Sequence, residues 1–257
     1  MVDKKVLLRL PRIVVDEDTG RKIVLNELEE YFIPVNKDFH GNGFVVKQDL
    51  LEKNGFFSVG KDSFAVFPGS FNDFFRNIKR KAQIITPKDL GSIIAYTGIG
   101  SDSVVMDAGS GSGSSACFLS RFAGKVFSFD VNEENLAVAR KNASFLGLDN
   151  VFFEEKDVYD EDSFKEGFCN VFLLDVPEPS KAVGTAKKVL KQGGFFVVYA
   201  PHISQVQEVV KVLPKNFVVQ KTIEVIERDW NVSEKSLRPA TKDFGHTGFL
   251  CFIRKVF

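Results

Sequence analysis

The period of the hydrophobic positions changes near residue 100. Before it, short β-type runs (Val6-Leu7-Leu8-Arg9-Leu10, Arg12-Ile13-Val14-Val15, Lys22-Ile23-Val24-Leu25, Phe44-Val45-Val46, Phe64-Ala65-Val66-Phe67) are punctuated by Pro11, Asp18-Thr19-Gly20, Gly41-Asn42-Gly43 and Pro68-Gly69. A small β-rich domain over residues 1–72 is expected. After it, apolar runs at 104–108, 125–129, 151–153, 170–174 and 195–199 alternate with segments of helical spacing at 114–122, 133–146, 182–190 and 203–213. In the 133–146 segment, Leu136, Ala139, Ala143 and Leu146 fall on one face, with Gly147 near its end. Gly193-Gly194 reads as a turn. Two long β runs, 217–232 and 247–256, close the chain with no helix between them. Strand and helix in alternation, then a hairpin, predict an α/β fold over residues 73–257: a doubly wound sheet carrying an antiparallel strand.

Between the two patterns lies a basic connector, Phe74-Phe75-Arg76-Asn77-Ile78-Lys79-Arg80-Lys81, followed by Gln83-Ile84-Ile85-Thr86-Pro87-Lys88-Asp89; residues 76–91 carry five positive charges, Arg76, Lys79, Arg80, Lys81 and Lys88, against the one negative charge of Asp89. Pro87 is placed near the first turn of a helix over 89–96. The connector is either a solvated linker or a stripe that meets phosphates.

Composition narrows the class without deciding it. With 257 residues, 44% hydrophobic and 26% charged, the chain suits one large domain or one domain plus a small appendage. Its 34 basic and 34 acidic residues cancel, so nucleic-acid binding would have to come from local patches. No apolar run is long enough to span a bilayer and Met1-Val2-Asp3-Lys4-Lys5 opens no signal-peptide core, so a cytoplasmic protein is expected. Cys117, Cys169 and Cys251, far apart and odd in number, read as buried free thiols. His40, His202 and His246 lack ligand spacing, so no metal is expected.

The candidate chemistry centres on Val104-Val105-Met106-Asp107-Ala108-Gly109-Ser110-Gly111-Ser112-Gly113: a buried strand breaking into alternate glycines before a helix. Glycines let such a loop approach a ligand closely while the helix's first N–H groups point at it. Asp130, about twenty residues past the first glycine and at the end of the next strand, has the offset of a carboxylate that holds a ribose. Asp107, Asp157 and Asp175 also fall at or just after strand ends, on the rim where such sheets bind ligands. Asp107 is assigned to the glycine loop or an amino group, Gly113 to the cofactor loop and Asp157 to an adenine amino group. Asp175 is left for whatever reacts. A nicotinamide fingerprint needs its third glycine where this chain has Ser114, so alternate glycines with a terminal hairpin suit S-adenosylmethionine better. Ser110 and Ser112 lie in no nucleophile elbow.

Gln83-Ile84-x-x-Pro87-Lys88-Asp89, Asp107-Ala108-Gly109-x-Gly111-Ser112-Gly113, Asp175-x-Pro177-x-Pro179, Gln205-Val206, Arg238-Pro239 and His246-Thr247-Gly248-Phe249 together resemble the tRNA (adenine-58-N1)-methyltransferase family in its archaeal and bacterial single-subunit form. The resemblance is specific from about residue 74 onward. It implies a Rossmann-like, S-adenosylmethionine-dependent enzyme, a homotetramer, that methylates N1 of adenine in the tRNA T-loop at position 58, with adenine 57 left open as a second target. It places the catalytic aspartate on Asp175 and cofactor contacts on Gln83, Gly109, Gly111, Ser112, Asp130 and Asp157. Substrate contacts are expected at Thr86, where relatives often carry a ring, at Lys79, Arg80 and Lys81, and at Arg238 and His246. Two alternatives stand beside it: a methyltransferase with a non-RNA substrate, and a non-catalytic RNA-binding subunit of a methyltransferase complex.

Overall fold

The computed structural model describes residues 4–81, 83–233, 236–241 and 245–257, and the chain divides into two compact units between Ile78 and Lys79. The sequence pattern puts that boundary at 72/73. The strands of the first unit are β1 (Lys4–Arg9), β2 (Arg12–Val15), β3 (Lys22–Asn26), β4 (Glu29–Pro34), β5 (Phe39–Gly41), β6 (Phe44–Val46), β7 (Gly55–Val59) and β8 (Asp62–Pro68), with short helices α1 (Gln48–Glu52) and α2 (Phe71–Arg76). Its antiparallel sheet has the order β4-β1-β8-β7 and closes over Leu7, Ile33, Phe44, Val46, Leu51, Phe64 and Val66. The expected β character holds. Strands β4, β5 and β7 go beyond the expectation, because their short runs are too mixed in polarity to show a clean alternation. Helix α2 begins at a capping box in which Ser70 and Asp73 satisfy each other's backbone N–H groups.

The second unit contains α3 (Pro87–Thr97), β9 (Val104–Ala108), α4 (Ser114–Leu119), β10 (Lys125–Asp130), α5 (Glu133–Leu146), β11 (Val151–Glu155), β12 (Cys169–Leu174), α6 (Val183–Val189), β13 (Leu190–Ala200), α7 (Ile203–Val212), β14 (Phe217–Glu224), β15 (Trp230–Ser233), β16 (Ser236–Pro239) and β17 (Phe249–Lys255). Its seven-stranded sheet runs β11-β10-β9-β12-β13-β17-β14, and β17 lies antiparallel between β13 and β14. The α/β architecture with one antiparallel C-terminal strand is therefore as expected. Two details differ. Gly193-Gly194 falls within the span of β13, where three extra residues stand out against β12 between Leu190 and Phe195 and Gly193 takes a φ of 76°, so the expected turn is an excursion inside a strand and not a link between elements. The 217–232 run is interrupted, and its distal part pairs with β16 as a separate hairpin.

Alternate residues of the central strands feed opposite faces of the sheet. Met106, Phe172, Leu174, Phe196 and Val198 pack with Ala186 and Val189 of α6 and Val206 and Val209 of α7. Val105, Val171, Leu173 and Val197 pack with Leu90 and Ile93 of α3 and Ala116 and Leu119 of α4. Helices cover both faces of the sheet, and the loops at the carboxyl ends of β9, β10 and β12 carry residues of the candidate site. The three cysteines are buried and free.

Candidate active site

The loop after β9 takes its shape from backbone geometry that glycine supplies. Gly111 and Gly113 have φ of 51° and 74°. A Cβ on Gly113 would stand 2.7 Å from Cβ of Ala139, so α5 packs directly on the loop only because that atom is missing. At the carboxyl end of β9 the chain is stitched to its neighbours: Asp175 N–H donates to the Ala108 carbonyl at 2.6 Å, Gly109 N–H to the Asp175 carbonyl at 3.1 Å and Ser110 N–H to the Phe129 carbonyl at 3.0 Å.

Asp130, ending β10, turns its carboxylate onto this loop. Its Oδ2 accepts the Gly111 N–H at 2.8 Å, its Oδ1 accepts the Asn132 N–H at 2.9 Å, and the Asn135 amide lies within 3.4 Å of both oxygens. An ionised carboxylate has about four acceptor positions; Gly111 and Asn132 fill two, and the Asn135 amide meets the two oxygens only at 3.4 and 3.3 Å, so a ligand hydroxyl would compete with Asn135 for the positions left.

These residues line a cavity of about 520 Å³. That is within the range of small-molecule and cofactor sites. Gln83, Ile84, Ile85, Gly109, Gly111, Ser112, Asp130, Asp157 and Asp175 all face it, with apolar walls from Phe129, Val158 and Val176. The hydroxyls of Ser112 and Ser114 are buried and, among the described residues, have no hydrogen-bond partner. Two orphaned polar atoms at a helix start, a free-rimmed carboxylate and apolar walls fit S-adenosylmethionine, which has an ionised amino-acid end, a ribose and a flat base.

Asp107 and Gly113, expected at the cofactor, are not among the lining residues. Asp107 is 1% exposed beneath the loop, where its Oδ2 accepts the Ser128 hydroxyl at 2.5 Å, and Ser128 in turn lies 2.7 Å from the hydroxyl of the cavity-lining Ser110. Burial pushes its carboxyl up to about 7 against the opposing Ser128 hydrogen bond, with the charges of Asp175 and Asp130 adding to the rise. Asp175 is half-buried at the end of β12, and burial raises its carboxyl to about 6. Among the described residues, its carboxylate has no protein hydrogen-bond partner.

The expected substrate residues divide. Lys79, Arg80 and Lys81 are exposed, and Lys81 pairs with Glu134 at 3.0 Å. The backbone of Lys79 is bound on both sides by the Asn142 amide, which also donates to the Ser112 carbonyl at 2.8 Å, so the basic stretch is tied to the cofactor loop. The sequence reading misses Asn142, although a polar residue among Leu136, Ala139 and Ala143 on the apolar face of a helix is a legible signal. Thr86 does not face the cavity. Its hydroxyl donates to the fully buried Asp89 at 2.9 Å, while Lys88 spans Asp89, the Val225 carbonyl and the Thr247 hydroxyl. Lys88 thus belongs to an internal ion pair and not to a surface stripe. Arg238 sits exposed on the β15–β16 hairpin, away from the cavity lining. His246 stands in a shallow recess with Pro201, His202, Ile203, Ser204 and Phe249. Gln205, to which the sequence assigns no role, joins the two hollows: its amide accepts the His202 N–H at 3.2 Å and donates to the Pro177 carbonyl at 2.9 Å. Among the described residues no three His, Cys, Asp or Glu side chains gather as metal ligands.

Residues 74–239 match the family described as the tRNA methyltransferase complex GCD14 subunit. The chain is 32% identical to the tRNA (adenine(57)-N(1)/adenine(58)-N(1))-methyltransferase TrmI of Methanocaldococcus jannaschii, over 95% of this chain and 94% of the relative. It is 30% identical to the tRNA (adenine(58)-N(1))-methyltransferase TrmI of Thermus thermophilus, over 84% and 88%. Among solved structures, a SAM-dependent O-methyltransferase of Thermotoga maritima superposes with a TM-score of 0.83 at 26% identity, covering 100% of this chain and 94% of that one. The tRNA (m1A58) methyltransferase TrmI of Aquifex aeolicus does so with 0.79 at 25% identity, covering 98% and 97%.

Proposed function

The chain belongs to the tRNA (adenine-58-N1)-methyltransferase family and transfers a methyl group from S-adenosylmethionine to N1 of adenine 58 in tRNA, and we propose that Asp175 is the residue that acts on that adenine. The observation that carries the proposal is the position of the Asp175 carboxylate: on the cofactor cavity, half-buried, raised to about 6 and uncommitted to any protein donor among the described residues.

When bound, S-adenosylmethionine supplies a methyl group on a positively charged sulfur. Asp130 would hold its ribose, Asp157 its adenine amino group, and Ser112 with the loop N–H groups its charged end. N1 of adenine is a weak nucleophile that becomes part of a cation as it reacts. A carboxylate accepting a hydrogen bond from the exocyclic N6 stabilises that charge and can take the N6 proton. Partial burial strengthens this effect, because water screens the half-buried carboxylate less than an exposed one. N1 lies on the pairing edge of the base, so the target has to be extruded into the site. The exposed Lys79, Arg80 and Lys81, anchored through Asn142 to the cofactor loop, are suited to hold the phosphates beside it.

Adenine 57 is included in the proposal because the Methanocaldococcus relative is named for both positions. A homotetramer is proposed from the family resemblance, and the exposed Val232 and Leu237 on the β15–β16 hairpin support a subunit contact. No helix among the described residues is long and apolar enough to cross a membrane, and action on tRNA in the cytoplasm is proposed. Incubation of the protein with a single tRNA transcript and methyl-labelled cofactor, followed by nucleotide mapping, tests the function. N1-methyladenine is expected at 58, and a transcript left unmodified would overturn the assignment.

A further inference from the structure

The recess beside the cofactor cavity contains a side chain whose charge follows from its hydrogen bonds. The Nδ1 of His246 is bonded to a Glu224 carboxylate oxygen and its Nε2 lies 2.9 Å from the Pro201 carbonyl. With Glu224 ionised, both partners accept and neither donates, so both ring nitrogens carry a proton and His246 is an imidazolium. Its charge is fixed further by surroundings that raise its affinity for a proton, the Glu224 hydrogen bond first and the Pro201 carbonyl second. With both edges engaged, the ring can offer a ligand only its face. The side chain is 44% exposed and lines the recess, and Phe249 flanks the ring at 4.9 Å between ring centres. The Gln205 amide makes the wall of this recess continuous with Pro177, two residues beyond Asp175.

We propose that the His246 face is a stacking platform for a nucleobase of the tRNA that flanks the extruded adenine. This rests on the function proposed above. The choice of a flanking base over the reacting one follows from charge. A cation–π contact strengthens a stack on a neutral base, whereas the adenine being methylated becomes positive and would be repelled by an imidazolium beneath it. The platform therefore acts on binding and register of the RNA, and the reacting base lies on the Asp175 side. The titratable groups facing His246 are Glu224 on β14, Lys88 at the start of α3, whose charge opposes protonation, and His202 across the recess.

Steady-state methylation of one tRNA transcript at saturating cofactor, with His246→Ala, His246→Tyr and Glu224→Gln, tests the platform. His246→Ala is expected to raise KM for tRNA roughly tenfold to a hundredfold, the range for removal of one base stack, with kcat within about threefold. His246→Tyr keeps a ring and should recover most of that loss. In the parent, KM should rise with pH as the imidazolium loses its proton, and in Glu224→Gln that rise should move to lower pH. Calorimetric titration of S-adenosylmethionine should give parental affinity for all three variants. A parental KM in His246→Ala, or a fall confined to kcat, overturns the platform. So does failure of His246→Tyr to restore binding in a variant that still binds cofactor normally. Absence of methylation by the parent would instead strike at the proposed function, so the two failures are separable.

Discussion

The Gly111 N–H donates to Asp130 Oδ2 at 2.8 Å, so the carboxylate that ends β10 is part of the glycine loop that follows β9. Asp130 therefore has two tasks, bracing the loop and presenting acceptors to the cavity. Asp130→Ala should weaken S-adenosylmethionine binding by roughly 1.5–3 kcal/mol for each charged hydrogen bond removed, measured by calorimetry. Asp130→Asn keeps one acceptor for Gly111 and should hold the loop while binding less tightly than the parent. Unchanged cofactor affinity in the Ala variant would remove Asp130 from the ribose.

Asp175 should control turnover and its pH dependence. Only the ionised carboxylate can stabilise a developing cation or take a proton, and its pKa is raised to about 6. The kcat/KM for tRNA should therefore climb with pH through about 6 and level off above it. Asp175→Ala should lower kcat by about 10²–10⁴-fold with cofactor affinity within a few-fold. Asp175→Asn retains an acceptor oxygen but no charge, and it is expected to be nearly as poor. Near-parental turnover by the Asn variant would reduce Asp175 to an orienting role.

Asp107 should make the fold more stable in mild acid. Its carboxyl is raised from 3.8 to about 7, so between those values the native state holds more protons than the unfolded chain. The stability it contributes is fully present below the unfolded value and is lost as pH rises through about 7. A difference of about three pH units bounds the effect at about 4 kcal/mol. Asp175, raised for the same reason of burial, adds to the slope in the same direction. Asp107→Asn can still accept the Ser128 hydroxyl and should flatten the slope, gaining most against the parent at pH 8. Denaturant melts from pH 4 to 8 read this directly, and parallel slopes for parent and variant would show that Asp107 stays unperturbed.

The basic residues ahead of the cofactor loop should separate by salt dependence. Replacing the exposed Lys79, Arg80 and Lys81 by Ala should make tRNA affinity fall less steeply with salt, by about 0.7–0.9 in the log–log slope for each phosphate no longer neutralised. Lys88 is 8% exposed in its side chain and is bonded to a fully buried Asp89. Lys88→Ala should leave the salt slope unchanged. Asp89→Ala should cost about 3–5 kcal/mol of stability by leaving Lys88 unpaired. Binding titrations at several salt concentrations and denaturant melts check the two halves separately.

Much of the cofactor site is legible in the sequence, because it depends on local pattern. Strand ends show where an apolar run stops, glycines mark left-handed backbone at Gly111 and Gly113, and a carboxylate such as Asp130 or Asp175 directly after a run has to stand on the rim. The roles of other residues come from partners far along the chain. Lys88 reads as one more positive charge until Thr247, 159 residues on, and Val225, 137 residues on, are brought to it. Thr86 reads as a substitute for a stacking ring until its hydroxyl is seen on Asp89. His246 has no evident charge until Glu224 and Pro201, 22 and 45 residues away, take its two edges. Asp107 and Asp130 are the same residue type at similar places, at or next to a strand end. Packing under the loop makes the first a buried acid, while the second stays open to the cavity. Periodicity and turn chemistry determine which elements form and where the rim lies. Hydrogen-bond partners and burial, and with them protonation, are decided only when segments distant in sequence pack together.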